Sequence, residues 1–113
     1  MAKTVAVVIQ EDPRKTHRPV EALRIALGLV SGSHITTVVL LHGATRLLSE
    51  ETEDVIDVDI LEKYLPSIEH LEIPFLLPTE TDRSTIRPEF SAQYESPEKI
   101  RLFLQSVDHT LVF

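Results

Sequence analysis

Three segments of this chain are largely apolar without the alternation of a half-buried strand, and they constrain the fold more than any other feature. They cover residues 4–10, 34–42 and 73–78. Apolar strands of this kind are typical of a parallel sheet that helices cover on both faces. The closing sequence "HTLVF" predicts a further strand, and a short strand is predicted around residues 90–94.

Helical patterns separate these strands. Residues 17–30 predict a helix with Thr16 as its N-cap. Residues 96–107 predict another, with Ser96 as N-cap and Pro97 in the first helical position, which is the preferred arrangement at a helix start. Both segments therefore have a defined beginning as well as a helical period.

A further helix is predicted over residues 60–71, where Pro66 is expected to kink or divide it. Strands that alternate with helices call for right-handed crossovers and a parallel sheet between helical layers. We therefore predict one α/β domain over residues 1–113, a three-layer α/β/α arrangement with a mainly parallel sheet of four to five strands.

The helix predicted at residues 17–30 has more apolar side chains than one buried face requires. Only Arg18, Glu21 and Arg24 mark a polar strip on it. A helix of this kind has to be covered on more than one side. Either a second subunit or the neighbouring helices of the same chain provide that cover, and the sequence leaves both open.

Charge and composition exclude several classes of function. The formal net charge is −7, from 18 acidic and 11 basic side chains, and the basic ones are scattered apart from Arg14, Lys15 and Arg18. Binding to nucleic acid or to an anionic membrane needs clustered Lys and Arg, so neither is expected. The sequence has no cysteine, which excludes disulfides, thiolate nucleophiles and Cys-ligated metals. Without an evident signal segment, a cytoplasmic location is expected.

Two stretches resemble the DsrE/DsrF-like sulfur-relay family. They are "VAVVIQEDPRKTHRPVEALRIALGLVSGSHITTVVLLHGATRLL" and the ending "IRLFLQSVDHTLVF". The resemblance implies a small DsrE-like α/β fold, assembly into trimers or hexamers, and chemistry in clefts between subunits. It also implies a persulfide-carrying cysteine just beyond the third strand, a place that falls at Pro78 and Thr79 here. Neither residue can carry sulfane sulfur, so the chain resembles a cysteine-less member.

Ligands of open α/β sheets bind beyond the carboxyl ends of the strands. The polar side chains that follow the three predicted strands are therefore the candidate ligand-binding residues. They are Glu11, Asp12, His42, Thr79, Thr81, Asp82 and Ser84, with Glu80 among them. The ordinary alternatives are a solvated turn for the two acids, a structural hydrogen-bonded role for His42, and a flexible surface loop for residues 79–84.

No catalytic, metal or cofactor site is predicted. The acids at residues 11 and 12 resemble those of a receiver domain, but the required Asp and Lys at later strand ends are absent. Glycine-rich nucleotide motifs and a G-x-S-x-G elbow are also absent, and the five histidines lack metal-ligand spacing. The acidic segment 50–62 predicts a solvated surface or a docking face for a basic partner.

Two hypotheses about function follow. The first is a non-catalytic, homo-oligomeric scaffold or partner subunit that works with another protein and is linked to sulfur trafficking. The second is a small-molecule-binding or enzymatic domain in which Asp12, His42 and the loop at residues 79–84 converge on one cleft between subunits.

Overall fold

The structure, a computed structural model, describes residues 2–113. Within this part of the chain, five strands and three α-helices alternate along most of the sequence. The strands are β1 Thr4–Ile9, β2 Ile35–Leu40, β3 Phe75–Pro78, β4 Ala92–Glu95 and β5 His109–Val112, and the helices are α1 Arg18–Ser31, α2 Val58–His70 and α3 Pro97–Ser106. Two 3-10 segments, His42–Leu48 and Arg83–Thr85, follow β2 and β3.

The strands form one parallel sheet in the order β4-β3-β2-β1-β5. Side chains alternate between its two faces: Val7, Leu40 and Leu77 join the core beneath α1 and α2, while Val8 and Val39 pack with α3 on the other face. The chain crosses to that second face only after β4, because α3 connects β4 to β5. The predicted three-layer α/β/α fold with a parallel sheet is confirmed.

The helix α1 begins one residue later than the sequence pattern predicts. The prediction of Thr16 as N-cap is wrong: the N-cap is His17, which makes no side-chain capping hydrogen bond, and Thr16 precedes it. The Oγ1 of Thr16 still accepts a hydrogen bond from the backbone N–H of Arg18 at 3.3 Å. On the broad apolar surface of α1, Leu27, Leu29 and Val30 are half-buried against the main core. The same chain therefore supplies part of the cover that this helix needs.

The helix α2 runs without a break through Pro66, so the expected division at this proline is not observed. Pro66 is exposed, and its ring stands on the solvent side of the helix. Leu61, Leu65 and Ile68 anchor the opposite side in the core. Burial of this stripe outweighs the loss of one backbone hydrogen bond, which explains why the helix continues.

The start of α3 follows the predicted cap. The Oγ of Ser96 accepts a hydrogen bond from the backbone N–H of Lys99 at 3.3 Å, and Pro97 occupies the first turn. Ile100 is the fully buried residue that fixes this helix on the sheet, against Val8 and Leu76. Because the helix lies above the ends of the inner strands, residues from Pro97 to Leu104 contribute to the site described below.

The strand β5 is an edge strand that is exposed along its whole length. It pairs with β1, and a reciprocal contact holds the two strand starts together. The carboxylate of Asp108 accepts hydrogen bonds from the backbone N–H and Oγ1 of Thr4, while the N–H of Asp108 donates to Thr4. In residues 2–113, no helix has the length and apolar character needed to cross a membrane.

Candidate functional site

A cleft of about 650 Å³ lies where β2 and β3 end beneath α3. Its volume is in the range of small-molecule sites, and its position is the one that open α/β sheets use for ligands. Three parts of the chain line it: the exit of β2, the loop after β3, and α3. The lining residues are Leu41, His42, Thr45, Pro78, Glu80, Thr81, Asp82, Thr85, Pro97, Ile100, Arg101 and Leu104.

His42 stands at the exit of β2 in a left-handed backbone conformation, with φ of 55°. A residue other than glycine adopts this conformation at a free-energy cost of roughly 1 kcal/mol. The backbone N–H of Leu41 bonds to the carbonyl of Ile9, so the strand is held in register up to the residue before the turn. The turn thus leaves the His42 side chain exposed at the mouth of the cleft.

The loop after β3 is organised around Asp82. Its Oδ1 accepts hydrogen bonds from the backbone N–H of Ser84 at 3.0 Å and from Ser84 Oγ at 2.6 Å, and its carbonyl accepts from Thr85 Oγ1 at 2.7 Å. The hydrogen bond from Ser84 lowers the pKa of Asp82, so this carboxylate is ionised at neutral pH. Arg83 lies over the ring of Tyr94, 4.2 Å from its centroid, and ties the loop to β4.

Of the candidate residues from the sequence, the structure places His42, Thr81 and Asp82 on the cleft wall. Ser84 does not line the cleft, but its hydroxyl donates a hydrogen bond to the carboxylate of Asp82, which does. The backbone N–H of Thr79 donates to the carbonyl of Glu95, which joins the ends of β3 and β4.

The two acids after β1 are engaged with arginines beside the cleft. Glu11 forms an ion pair with Arg18 at 2.8 Å. The carboxylate of Asp12 receives Arg14 Nε at 3.0 Å and Nη2 at 2.8 Å, and this contact lowers the pKa of Asp12 to about 2. Asp12 also lies against Gly43, the residue after His42, but it is not among the described residues that line the cleft.

Sequence reasoning missed the contribution of α3 and of the two threonines, Thr45 and Thr85. The crossover after β4 carries α3 to the face opposite α1 and α2, and this brings Ile100, Arg101 and Leu104 over the ends of β2 and β3. No sequence signal gives the strand order, which places the exits of β2 and β3 side by side. No local motif marks either threonine.

The cleft combines an apolar wall with a mixed polar rim. Leu41, Pro78, Ile100 and Leu104 form the apolar part, and the carboxylates of Glu80 and Asp82 lie on the rim with the basic side chains of His42 and Arg101. Among residues 2–113, no group of three or more His, Asp or Glu side chains is placed to hold a metal ion. Such a cleft can bind an organic molecule through apolar contact and orient it with a few polar groups.

Comparison with known proteins identifies the fold. No family model and no curated protein matches the sequence. Among solved structures, the chain is similar to the ychN protein from E. coli, with a TM-score of 0.78 and 16% sequence identity over 100% of both chains. This likeness, together with the five-stranded parallel sheet, shows that the chain has a DsrE-like fold.

Proposed function

We propose that this protein is a small-molecule-binding domain and that its ligand occupies the strand-exit cleft. The observation that carries the proposal is the convergence of three separate chain segments on one cavity of about 650 Å³. An apolar wall with a few fixed polar groups is the usual composition of a ligand site. This is the second of the two hypotheses from the sequence, restricted to binding and changed in two respects: the cleft is formed within one chain, and Asp12 does not line it.

The lining defines the chemistry of the ligand. Burial against Ile100 and Leu104 favours an apolar body, at roughly 25 cal/mol for each Å² removed from water. Asp82, held ionised by Ser84, accepts hydrogen bonds from a donor group on the ligand. His42 and the threonine hydroxyls offer both donors and acceptors. The proposed ligand is therefore an amphipathic organic molecule.

The proposed activity does not include sulfur transfer by this chain alone. Pro78, which lines the cleft, and Thr79 occupy the position at which the resemblance implies a persulfide cysteine. A Thr hydroxyl is far too weak an acid to act as a thiolate does. Any sulfur-handling residue would have to come from a partner protein.

A paired substitution tests the cleft. Leu104 lines it and Leu102, two residues away on the same helix, is exposed. We expect Leu104→Lys to weaken binding of cleft ligands by at least about tenfold, because it places a charge on the apolar wall. Leu102→Lys should leave affinity unchanged. Ligand-observed NMR with a metabolite collection measures both, and equal binding by the two variants would refute the proposal.

The second candidate function, an oligomeric partner subunit, is favoured by a different surface. Leu102 on α3 and Leu111 and Val112 on β5 are 52%, 37% and 54% exposed, and β5 is an open strand edge. A second copy of the chain is the proposed occupant, because an open edge pairs with an identical edge in antiparallel register.

This assembly has its own test. An antiparallel contact between identical edges has twofold symmetry, so of the trimers and hexamers that the resemblance implies only the hexamer can contain it. Sedimentation equilibrium at micromolar concentration measures the mass directly. We expect Leu102→Lys combined with Val112→Lys to shift the protein toward the monomer, since both charges would be buried in the contact. A monomeric wild-type protein would exclude this second function and leave ligand binding by the cleft unaffected.

A further inference from the structure

A second, smaller cavity adjoins the strand-exit cleft. It has a volume of about 180 Å³ and is lined by Arg14, Gly43, Thr45, Arg46, Ser49 and Thr85. Thr45 and Thr85 line both cavities, so these two threonines form a common wall. We refer to the smaller cavity as the arginine cavity.

The arginine cavity differs from the cleft in its chemistry. Its lining contains two guanidinium groups, three hydroxyls and a glycine, without the aliphatic wall that α3 gives to the cleft. Guanidinium and hydroxyl groups are the side chains that bind phosphoryl and carboxylate oxygens best, because they present several N–H and O–H donors. The composition thus favours an anionic group.

Arg46 has an unmet donor at this cavity. Its Nη2 lies 3.2 Å and 3.1 Å from the two carboxylate oxygens of Asp54. Its Nε, by contrast, is buried and has no hydrogen-bond partner among the described residues. A buried N–H without a partner is unfavourable, and most such groups in folded proteins bond to protein, water or ligand. Because this Nε is itself buried, an oxyanion in the arginine cavity would reach Arg46 through its terminal nitrogens, since the side chain as a whole is 30% exposed.

The carboxylates of Asp12 and Asp54 do not engage all the N–H donors of Arg14 and Arg46. Asp12 engages Nε and Nη2 of Arg14, and Asp54 engages Nη2 of Arg46. A guanidinium has five N–H donors, so each arginine keeps donors beyond these contacts. The two acids reduce the net positive charge, and this predicts modest affinity for a free anion and stronger binding when the anion is attached to a molecule that fills the cleft.

We infer that the arginine cavity is an oxyanion subsite of the strand-exit cleft and that the natural ligand is an amphipathic molecule with a phosphate or similar oxyanion at one end. This inference rests on the proposed function of the cleft. The apolar body lies against α3, and the anionic group passes Thr45 and Thr85 to reach Arg46 and Arg14.

Inorganic phosphate tests the subsite by itself. Titration into the ¹⁵N-labelled full chain, at constant ionic strength, should shift the Arg46 Nε–H resonance saturably. Arg46→Gln should weaken binding by about tenfold or more, since it removes the charge and the terminal N–H donors of the guanidinium. Arg24→Gln is the matched control, because Arg24 is exposed on α1 and pairs with Glu21. A titration that leaves Arg46 unmoved, or equal effects of both variants, would overturn the inference.

An anilinonaphthalene sulfonate dye tests the connection between the two cavities, since it joins an aromatic body to a sulfonate. We expect Leu104→Lys to abolish dye binding, Arg46→Gln to weaken it by about tenfold, and phosphate to compete with it. Dye binding that depends on Leu104 but not on Arg46 or phosphate would overturn the inference and leave the proposed function standing. Phosphate binding at Arg46 with no dye binding at the cleft would refute the proposed function and, with it, this ligand class.

Discussion

At the scale of single residues, His42 has a backbone conformation that local preference does not explain. It adopts φ of 55° at the end of β2, where glycine or asparagine would be more stable. Strained residues of this kind are concentrated at binding and catalytic sites. The position of His42 on the cleft wall is consistent with a role for this strained turn in the proposed function.

Replacement of His42 by glycine should separate stability from binding. We expect His42→Gly to raise the free energy of unfolding by about 0.5 kcal/mol, because relief of the strained φ outweighs the added chain entropy. Affinity for cleft ligands should fall. Ser33→Gly is the matched control, with φ of 69° at an exposed turn outside the cleft, so only its stability should change. Urea unfolding and ligand titration measure both effects, and a loss of affinity in Ser33→Gly would contradict this account.

The pair formed by Asp12 and Arg14 predicts a pH dependence. In the folded chain the pKa of Asp12 is lowered to about 2, chiefly by the hydrogen bond from Arg14, so folding favours the ionised form. Its contribution is complete above the pKa of the unfolded chain and is lost as the pH falls from about 5 toward 2. Because Arg14 is half-exposed, we expect a contribution of only about 1 kcal/mol.

The measurement compares the wild type with Asp12→Asn by urea unfolding across this pH range. Other acids with lowered pKa, such as Asp82 and Asp108, titrate in both proteins, and the comparison cancels them. The difference in stability should be largest near neutral pH and should disappear at low pH. A difference that stays constant with pH would show that the ion pair is not its source.

At the scale of elements, the turn after β2 and the turn after β1 fit against each other. A Cβ on Gly43 would lie 3.2 Å from both Cγ and Oδ2 of Asp12, closer than ordinary van der Waals contact. The carboxylate cannot easily move away, because three hydrogen bonds from Arg14 hold it. Gly43 therefore allows the two strand exits to approach, and this fixes the His42 turn beside the ion pair.

Alanine substitutions at two glycines test this close approach. We expect Gly43→Ala to destabilise the fold by about 1–2 kcal/mol, since the added methyl displaces Asp12. Gly28 lies within α1, where an added Cβ has open space among the described residues. Gly28→Ala should stabilise the fold by about 0.5–1 kcal/mol through helix propensity. Thermal unfolding of the two variants should shift in opposite directions, and a shift of the same sign would contradict the packing argument.

The elements also show how far local sequence determines this fold. Ser96 and Pro97 start α3 as predicted, because the capping hydrogen bond and the proline act within one turn. The apolar runs also predict the strands, because a continuously apolar segment fits a parallel strand that is buried on both faces of the sheet. Pro66 does not divide α2, because tertiary burial of Leu61 and Leu65 decides the continuity of this helix. The left-handed turn at His42 has no local signal.

At the scale of the whole molecule, the cleft depends on contacts between distant parts of the sequence. The sheet order brings β2 and β3 together, and the crossover after β4 places α3 above them. The candidate residues at strand ends follow from the general rule for open α/β sheets. The sharing of Thr45 and Thr85 by two cavities follows only from the packed structure, so sequence reasoning could not have found it.

The contact between Thr4 and Asp108 predicts how the molecule opens. These residues join the starts of β1 and β5 across 104 positions of sequence, at distances of 2.9–3.0 Å. We expect Asp108→Ala to speed amide hydrogen exchange in residues 109–113 by at least about tenfold, while exchange in β2 stays unchanged. His109→Ala is the matched control on the same exposed strand. Equal exchange rates in the two variants would show that Asp108 does not hold β5 in place.

The unpaired outer edge of β5 should affect how this protein behaves in concentrated solution. The segment His109–Val112 has two β-branched residues and no acidic or lysine side chain to deter strand addition. When high protein concentration or mild heating loosens the fold, we expect this unpaired edge to start the growth of fibrous aggregates. The time before aggregates form should therefore shorten as the protein concentration rises, and Leu111→Lys should lengthen it.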